Sequence, residues 1–246
     1  MRTLTAIPVY NEARHVADVL ARTRRYAADI LVINDGSADG TAALLDAEPG
    51  IHRVDHPRNR GYGAALQSAF AFALDHGYDV LVTMDCDGQH EPARIPVLLE
   101  AIHDADIVSG SRYYRDFRQD TPAPTDRRFI NATVTAELND RYHLGITDAF
   151  CGFKAYRREA LEKLRITEDG WGMPLQLWVQ AARQGLRVKE IGVPRLYLDP
   201  TYKPRATAPP RRPPARAVAP RRVGEELRAS RARSTRRWSP PRPDCR

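Results

Sequence analysis

Two aspartates separated by one residue, Asp85 and Asp87, close an apolar run rich in valine, and Gly88, Gln89, His90 and Pro92 follow them. A carboxylate is costly to bury without a partner, so the pair belongs at the end of a strand and not within it. Open α/β sheets bind ligands at the carboxyl ends of their strands. Two hard oxygen donors with Gln89 beside them suit Mg²⁺ or Mn²⁺, an ion that can carry the phosphates of a nucleotide. A solvated turn would show the same two acids, so the reading depends on what the other strand ends carry.

Three further stretches sit where a strand should give way to a loop. In residues 7–12 (IPVYNE), Asn11 and Glu12 follow an apolar run and are placed either to contact a base or ribose or to form a capped turn. In residues 34–41 (NDGSADGT), Gly36 permits a tight turn and Ser37 and Asp39 are natural capping types. Asp35 there is placed to accept from the imide N–H of a base, whereas Asp39 reads as structural. Residues 59–65 (NRGYGAA) form a glycine-containing entry to a helix, whose backbone N–H groups and dipole favour a diphosphate, with Arg60 adding charge.

Those stretches need a scaffold that brings them to one edge. Short apolar runs alternate with amphipathic ones, the pattern of repeated βα units and a mostly parallel sheet. Strands are predicted at 2–9, 29–34, 51–55, 79–84, 106–109, 153–156 and 186–191. Helices are predicted at 12–26, 40–47, 61–76, 93–103, 127–142, 157–164 and 171–184, with 111–125 as a polar loop. In the helix 127–142, Phe129, Ile130, Val134 and Leu138 read as the packed side.

Composition divides the chain. The formal charge is +7, but residues 202–246 hold 14 Lys and Arg against 3 Asp and Glu, leaving 24 against 28 in residues 1–201. The folded part is therefore mildly acidic. The basic tail also contains nine of the 19 prolines, so residues 202–246 are expected to be disordered and 1–201 to form the folded domain. The break after residue 201 is abrupt enough to suggest an out-of-frame C-terminus. Three widely spaced cysteines, Cys86, Cys151 and Cys245, argue against a disulfide framework and for a reducing compartment. No apolar stretch has the length to span a bilayer, so the expected location is cytoplasmic, with peripheral attachment at the inner face of the membrane left open.

Taken in order, the strand-end stretches, together with SGSRY (109–113), DAFCGFKAYRREAL (148–161) and the segment 170–194, resemble the family-2 glycosyltransferases of the GT-A fold. The nearest branch is the one that includes dolichol-phosphate mannose synthase and bacterial polyprenyl-phosphate sugar transferases. This resemblance implies an α/β GT-A domain that takes a nucleotide-diphosphate sugar and a divalent metal, Mg²⁺ or Mn²⁺, and transfers the sugar with inversion. It implies that Pro8, Tyr10, Glu12, Asp35, Gly61 and Asp85 bind the nucleotide sugar, and that Asp85, Asp87 and Gln89 surround the metal. Asp87, Arg112 and Asp148 are implied as catalytic, and Arg127, Arg128 and Lys154 as contacts to the acceptor. A polyprenyl phosphate would arrive already anionic and need no strong base. A hydroxyl acceptor would need one, and Asp148 or Asp169 are the candidates.

The chain departs from the family at Asn34, where a first aspartate is usual, and at Gln176, where the lipid-phosphate branch often has an acid. The polar helix 127–142 also suits a soluble core better than a bilayer. The acceptor thus stays open between a polyprenyl phosphate and a hydroxyl. Two other classes compete. A nucleotidyltransferase would need glycine and lysine in the first loop, which IPVYNE lacks. A nucleic-acid binder would work through the arginine-rich tail, a less favoured reading because the folded part is acidic.

Overall fold

The first apolar run forms β1 (Thr3–Val9), with Leu4, Ala6, Ile7 and Val9 buried. It is one of seven strands in the computed structural model, which describes residues 1–197. The others are β2 (Asp29–Asn34), β3 (His52–Asp55), β4 (Val80–Thr83), β5 (Ile107–Ser111), β6 (Lys154–Arg157) and β7 (Val188–Gly192). The expectations for residues 202–246 lie outside the described residues.

The strands are ordered β3-β2-β1-β4-β6-β5-β7. β1 pairs in parallel with β2 and β4, β2 with β3, and β5 with β7, whereas β6 runs antiparallel between β4 and β5. This reversal has a functional effect. The carboxyl ends of β1, β2, β4 and β5 share one edge, and β6 starts there, with Lys154 opposite both Thr83 and Ser109. The residues leading into β6 are thereby carried to the edge where the acids emerge.

Side chains along a strand alternate between faces, and β2 shows the result. Ile30 and Val32 enter one core with α1 (Val16–Thr23) and α4 (Ile95–Ala101), through Val16, Leu20, Ile95 and Leu98. Leu31 and Ile33 enter the opposite core with α3 (Tyr62–Asp75), α6 (Arg158–Lys163) and α7 (Met173–Arg183), through Ala65, Leu66, Leu161 and Leu177. The short α2 (Thr41–Asp46) starts beside Asp39, whose Oδ1 accepts from the Thr41 N–H at 3.2 Å.

α5 (Thr125–Tyr142) corrects one expectation. Its inward side chains are Asn131, Thr135 and Leu138, while Phe129 and Ile130 are 70% and 53% exposed. The inward face is polar because Asn131 and Thr135 have buried partners, described below. Trp171 also differs from expectation: α7 starts at Met173, and Trp171 lies in the turn before it, half exposed. Among the described residues no helix is long and apolar enough to cross a membrane.

Candidate active site

The turns after β1 and β2 are locked to each other. Asn11 takes the left-handed conformation at φ 57° and donates its N–H to Ser37 Oγ at 2.9 Å. Its side-chain oxygen accepts from the Ala38 N–H at 2.8 Å. The Glu12 N–H donates to Thr41 Oγ1 at 3.0 Å. Pro8 and Glu12 are half-buried and Tyr10 is exposed, all three at the carboxyl end of β1.

Asp35 is tied into the fold. It is 3% exposed, and its oxygens accept from the N–H groups of Arg60 at 2.9 Å and Gly61 at 2.8 Å, with His56 Nδ1 2.6 Å away. His56 Nε2 reaches Ser68 Oγ at 2.9 Å. A carboxylate bonded in this way ties the loop 56–61 to the end of β2, a structural task beside the base contact expected of it. Gly36 makes the contact feasible: at φ +69°, a Cβ there would come within 2.3 Å of the Arg58 carbonyl carbon. Gly61, expected to bind the donor, instead gives its N–H to Asp35.

The acids after β4 sit where the sequence placed them. The Asp85 N–H donates to His90 Nδ1 at 3.1 Å, and its carboxylate accepts from the Tyr62 hydroxyl at 3.2 Å. Asp87 Oδ1 accepts from the Gln89 N–H at 3.0 Å, so Gln89 shapes the turn through its backbone. Burial raises the Asp85 carboxyl, and burial together with the Asp85 charge raises Asp87. His90 is pushed down to about 4 by burial and stays neutral, as its role as acceptor requires. Burial and the Asp85 charge hold the Tyr62 phenol protonated.

A divalent cation fits this donor set, since neighbouring carboxylates that resist joint ionisation are relieved by a shared positive charge. Among the described residues no three His, Cys, Asp or Glu side chains form a closed metal cage. A Mg²⁺-type site of one or two carboxylates completed by substrate phosphates needs no such cage.

Across the edge, Arg112 follows β5 and grips Asp148 through two parallel bonds, Nε to Oδ2 at 2.7 Å and Nη2 to Oδ1 at 2.9 Å. Asp148 is fully buried. It also accepts from the Arg112 N–H at 3.2 Å, Asn131 Nδ2 at 2.9 Å and the Phe150 N–H at 3.1 Å. Although burial opposes its ionisation, the Arg112 charge and these bonds hold its carboxyl down to about 2. Asp148 therefore orients Arg112, and the expectation that it might accept a proton is corrected. Glu190 fixes the same loop, accepting from the N–H groups of Thr147 at 2.8 Å and Asp148 at 3.1 Å.

Lys154 also differs from expectation. It is 2% exposed, donates to the Cys151 carbonyl and lies 5.2 Å from the Trp178 ring centre. A side chain so enclosed supplies positive charge near Asp85 from below and offers no surface to an external acceptor. Arg127 and Arg128 do occupy an accessible position in the first turn of α5, with Arg128 exposed and Arg127 5.8 Å from the Tyr197 ring centre. Gln176 accepts from the N–H groups of Thr167 and Glu168, both at 2.9 Å, and so supports the turn that leads to Trp171.

His56, Tyr62, Asn131 and Glu190 were not among the expected site residues. Tyr62 and Glu190 lay inside stretches that carry the resemblance, but His56 and Asn131 carry no local signal, because each is recruited by a partner distant in the chain.

Comparison with known proteins shows the family and the fold. The family model described as "Glycosyl transferase family 2" matches residues 5–165. The undecaprenyl-phosphate mannosyltransferase of Micrococcus luteus is 35% identical over 202 residues, covering 78% of this chain and 83% of that protein. The polyprenol monophosphomannose synthase of Mycolicibacterium smegmatis is 36% identical over 209 residues, covering 78% and 76%. Among solved structures, glucosyl-3-phosphoglycerate synthase from Mycobacterium tuberculosis, in complex with Mn²⁺, UDP-glucose and phosphoglyceric acid, superimposes with a TM-score of 0.63. It is 20% identical, covering 78% of this chain and 70% of that one, a likeness of fold.

Proposed function

The chain belongs to glycosyl transferase family 2 and is a GT-A glycosyltransferase, and from that premise we propose that it transfers a sugar from a nucleoside-diphosphate donor to a polyprenyl phosphate. Mannose is the first donor sugar to test, because both relatives named above are mannosyl transferases.

The observation that carries the choice of acceptor is the state of Asp148. It is buried, ionised and bonded on both oxygens, so the residue best placed to deprotonate a hydroxyl is committed to Arg112. Asp169, the other candidate, is exposed, and its Oδ1 accepts from Gln67 Nε2 at 3.0 Å, so it is bonded on one oxygen only. An acceptor that brings its own anionic oxygen removes the need for a base.

The donor side follows from the same geometry. Pro8, Tyr10 and Glu12 line the nucleoside position. Asp85 and Asp87 would hold a divalent cation, whose chemistry is charge stabilisation on the departing diphosphate. On the acceptor side, Asp148 engages the Nε and Nη2 edge of Arg112, leaving the remaining edge of the guanidinium as a pre-oriented cation for a phosphate. The exposed Phe129 and Ile130 follow Arg127 and Arg128 near the start of α5, an apolar and basic surface suited to peripheral contact with the membrane that carries the acceptor.

The test is a thermal-shift screen of GDP- and UDP-sugars with and without Mn²⁺, followed by transfer to polyprenyl phosphate. One nucleotide sugar should stabilise wild type in a Mn²⁺-dependent way and fail to stabilise Asp87→Asn. Equal shifts for the two proteins, or no shift with any nucleotide sugar, would contradict the proposal.

A further inference from the structure

Tyr62 opens α3 with its hydroxyl on Asp85 Oδ1, and its ring lies parallel to that of Trp171. The centroids are 5.0 Å apart and the planes differ by 7°. Trp171 is 52% exposed, so its ring serves the inner contact without being part of the core.

The turn that carries Trp171 is pressed onto the start of α3 by backbone. A Cβ on Gly61 would come within 2.4 Å of the Asp169 carbonyl oxygen, and one on Gly63 within 2.0 Å of the Glu168 oxygen. The Ala64 N–H donates to the Asp169 carbonyl at 3.1 Å, and Gln67 Nε2 to the Glu168 carbonyl at 3.3 Å. Glycines at 61 and 63 thus let the turn 168–171 close onto the helix and bring the indole over the phenol.

Asp85 is enclosed from the other side by Gly152. A Cβ there would lie 2.5 Å from Asp85 Oδ2 and 2.7 Å from the Tyr62 hydroxyl. The carboxylate therefore sits in a slot between a hydroxyl that orients it and a bare Cα that leaves it room.

We propose that Tyr62 and Trp171 act as a positioning pair for Asp85, Trp171 fixing the Tyr62 ring and the Tyr62 hydroxyl fixing the carboxylate in the orientation that shares a divalent cation with Asp87. The inference rests on the metal reading given under Proposed function. Partners that hydrogen-bond a ligating carboxylate tune it as strongly as many direct contacts do, and their loss typically costs about 10–100-fold in metal affinity. Neither residue touches the reacting atoms, so both work through Asp85.

The experiment is a titration of Mn²⁺ into the full chain, followed by the electron paramagnetic resonance signal of free Mn²⁺, with UDP or GDP saturating, whichever stabilises the protein. Tyr62→Phe keeps the stacked ring and removes only the hydroxyl, so Mn²⁺ affinity should fall about 10–100-fold. Trp171→Leu removes the stack and keeps the hydroxyl, and should weaken binding about tenfold, the lower end of the same range. Trp171→Phe should restore the wild-type isotherm, which a general loss of stability would not do. Asp87→Asn separates the two levels of the argument. If it loses Mn²⁺ while Tyr62→Phe or Trp171→Leu binds like wild type, the positioning pair is wrong. If Asp87→Asn itself binds like wild type, the metal reading fails. Should Trp171→Leu not fold, Tyr62→Phe decides the matter alone.

Discussion

In the function proposed above, the sheet edge has a donor half after β1 and β2 and an acceptor half around the loops of Arg112 and Asp148, and the two hold their charged groups by different means. On the donor half, Asp35 is held largely by main chain, through the N–H groups of Arg60 and Gly61, and the neighbouring turn closes only because position 36 lacks a Cβ. On the acceptor half, Arg112 is held by the side chain of Asp148, 36 residues away, and Asp148 by the side chain of Asn131, while its loop is fixed by Glu190, 42 residues away. Main-chain contacts follow from local turn chemistry, whereas a side-chain network depends on the whole fold being in place. The acceptor half should therefore respond most to the loss of a charged side chain, and the donor half to the gain of a methyl group.

The largest effect is expected on the acceptor half. Asp148→Ala leaves the Arg112 guanidinium without its buried partner, and removing one member of such a pair costs about 3–5 kcal/mol. Denaturant unfolding would measure it, and a loss below about 1 kcal/mol would show that the pair is not the anchor described, since pairs of that worth are typical of exposed surfaces. The pH dependence has a definite sign. Folding holds Asp148 at about 2 against an ordinary 3.8, so its contribution is complete above the ordinary value and is lost as pH falls through about 2. Between pH 5 and pH 2 wild type should lose stability that Asp148→Asn does not lose.

The next effect tests the donor half. Gly36→Ala combines a strained positive φ with a Cβ against the backbone of Arg58, and overpacking of this kind costs about 1–3 kcal/mol. A variant as stable as wild type would remove the claim that the close approach of these turns sets the site. Ser68→Ala is expected to cost about 1 kcal/mol, the usual worth of a single hydrogen bond, here the one to His56. A much larger loss would mean that the donor half also depends on side chains, and would erase the contrast. The smallest effect on stability belongs to Phe129→Ser with Ile130→Ser, within about 0.5 kcal/mol as for other exposed positions. The same pair should reduce cosedimentation with anionic vesicles, and unchanged cosedimentation would remove α5 as the membrane contact.

This contrast also explains what could be read from the residues alone. β2 was read at its observed bounds, Asp29–Asn34, because an unbroken apolar run between turn formers has few alternatives. Asp85 and Asp87 were read because both chemistry and placement are local to one strand end. Asp35 was located at its strand end, but its structural bonds were not foreseen, since nothing near it announces His56 or the backbone of Gly61 as partners. The inward face of α5 was only half read for a related reason: Leu138 and Val134 do pack inward, but Phe129 and Ile130 are the natural core candidates until Asp148 is known to require Asn131. Lys154 was misread because the reversal of β6, which buries it between Thr83 and Ser109, is a property of the sheet and not of the segment.

The central claim is that the acceptor arrives already charged, because Asp148, the buried carboxylate on its side of the edge, is committed to Arg112. The most direct measurement compares a polyprenyl phosphate with the corresponding polyprenol as acceptor, at equal concentration, with the nucleotide sugar that stabilises the protein. Transfer to the phosphate alone, at a rate that changes little between pH 6.5 and pH 8.5, is the expected result. Comparable transfer to the free alcohol, rising with pH as a base is uncovered, would contradict it.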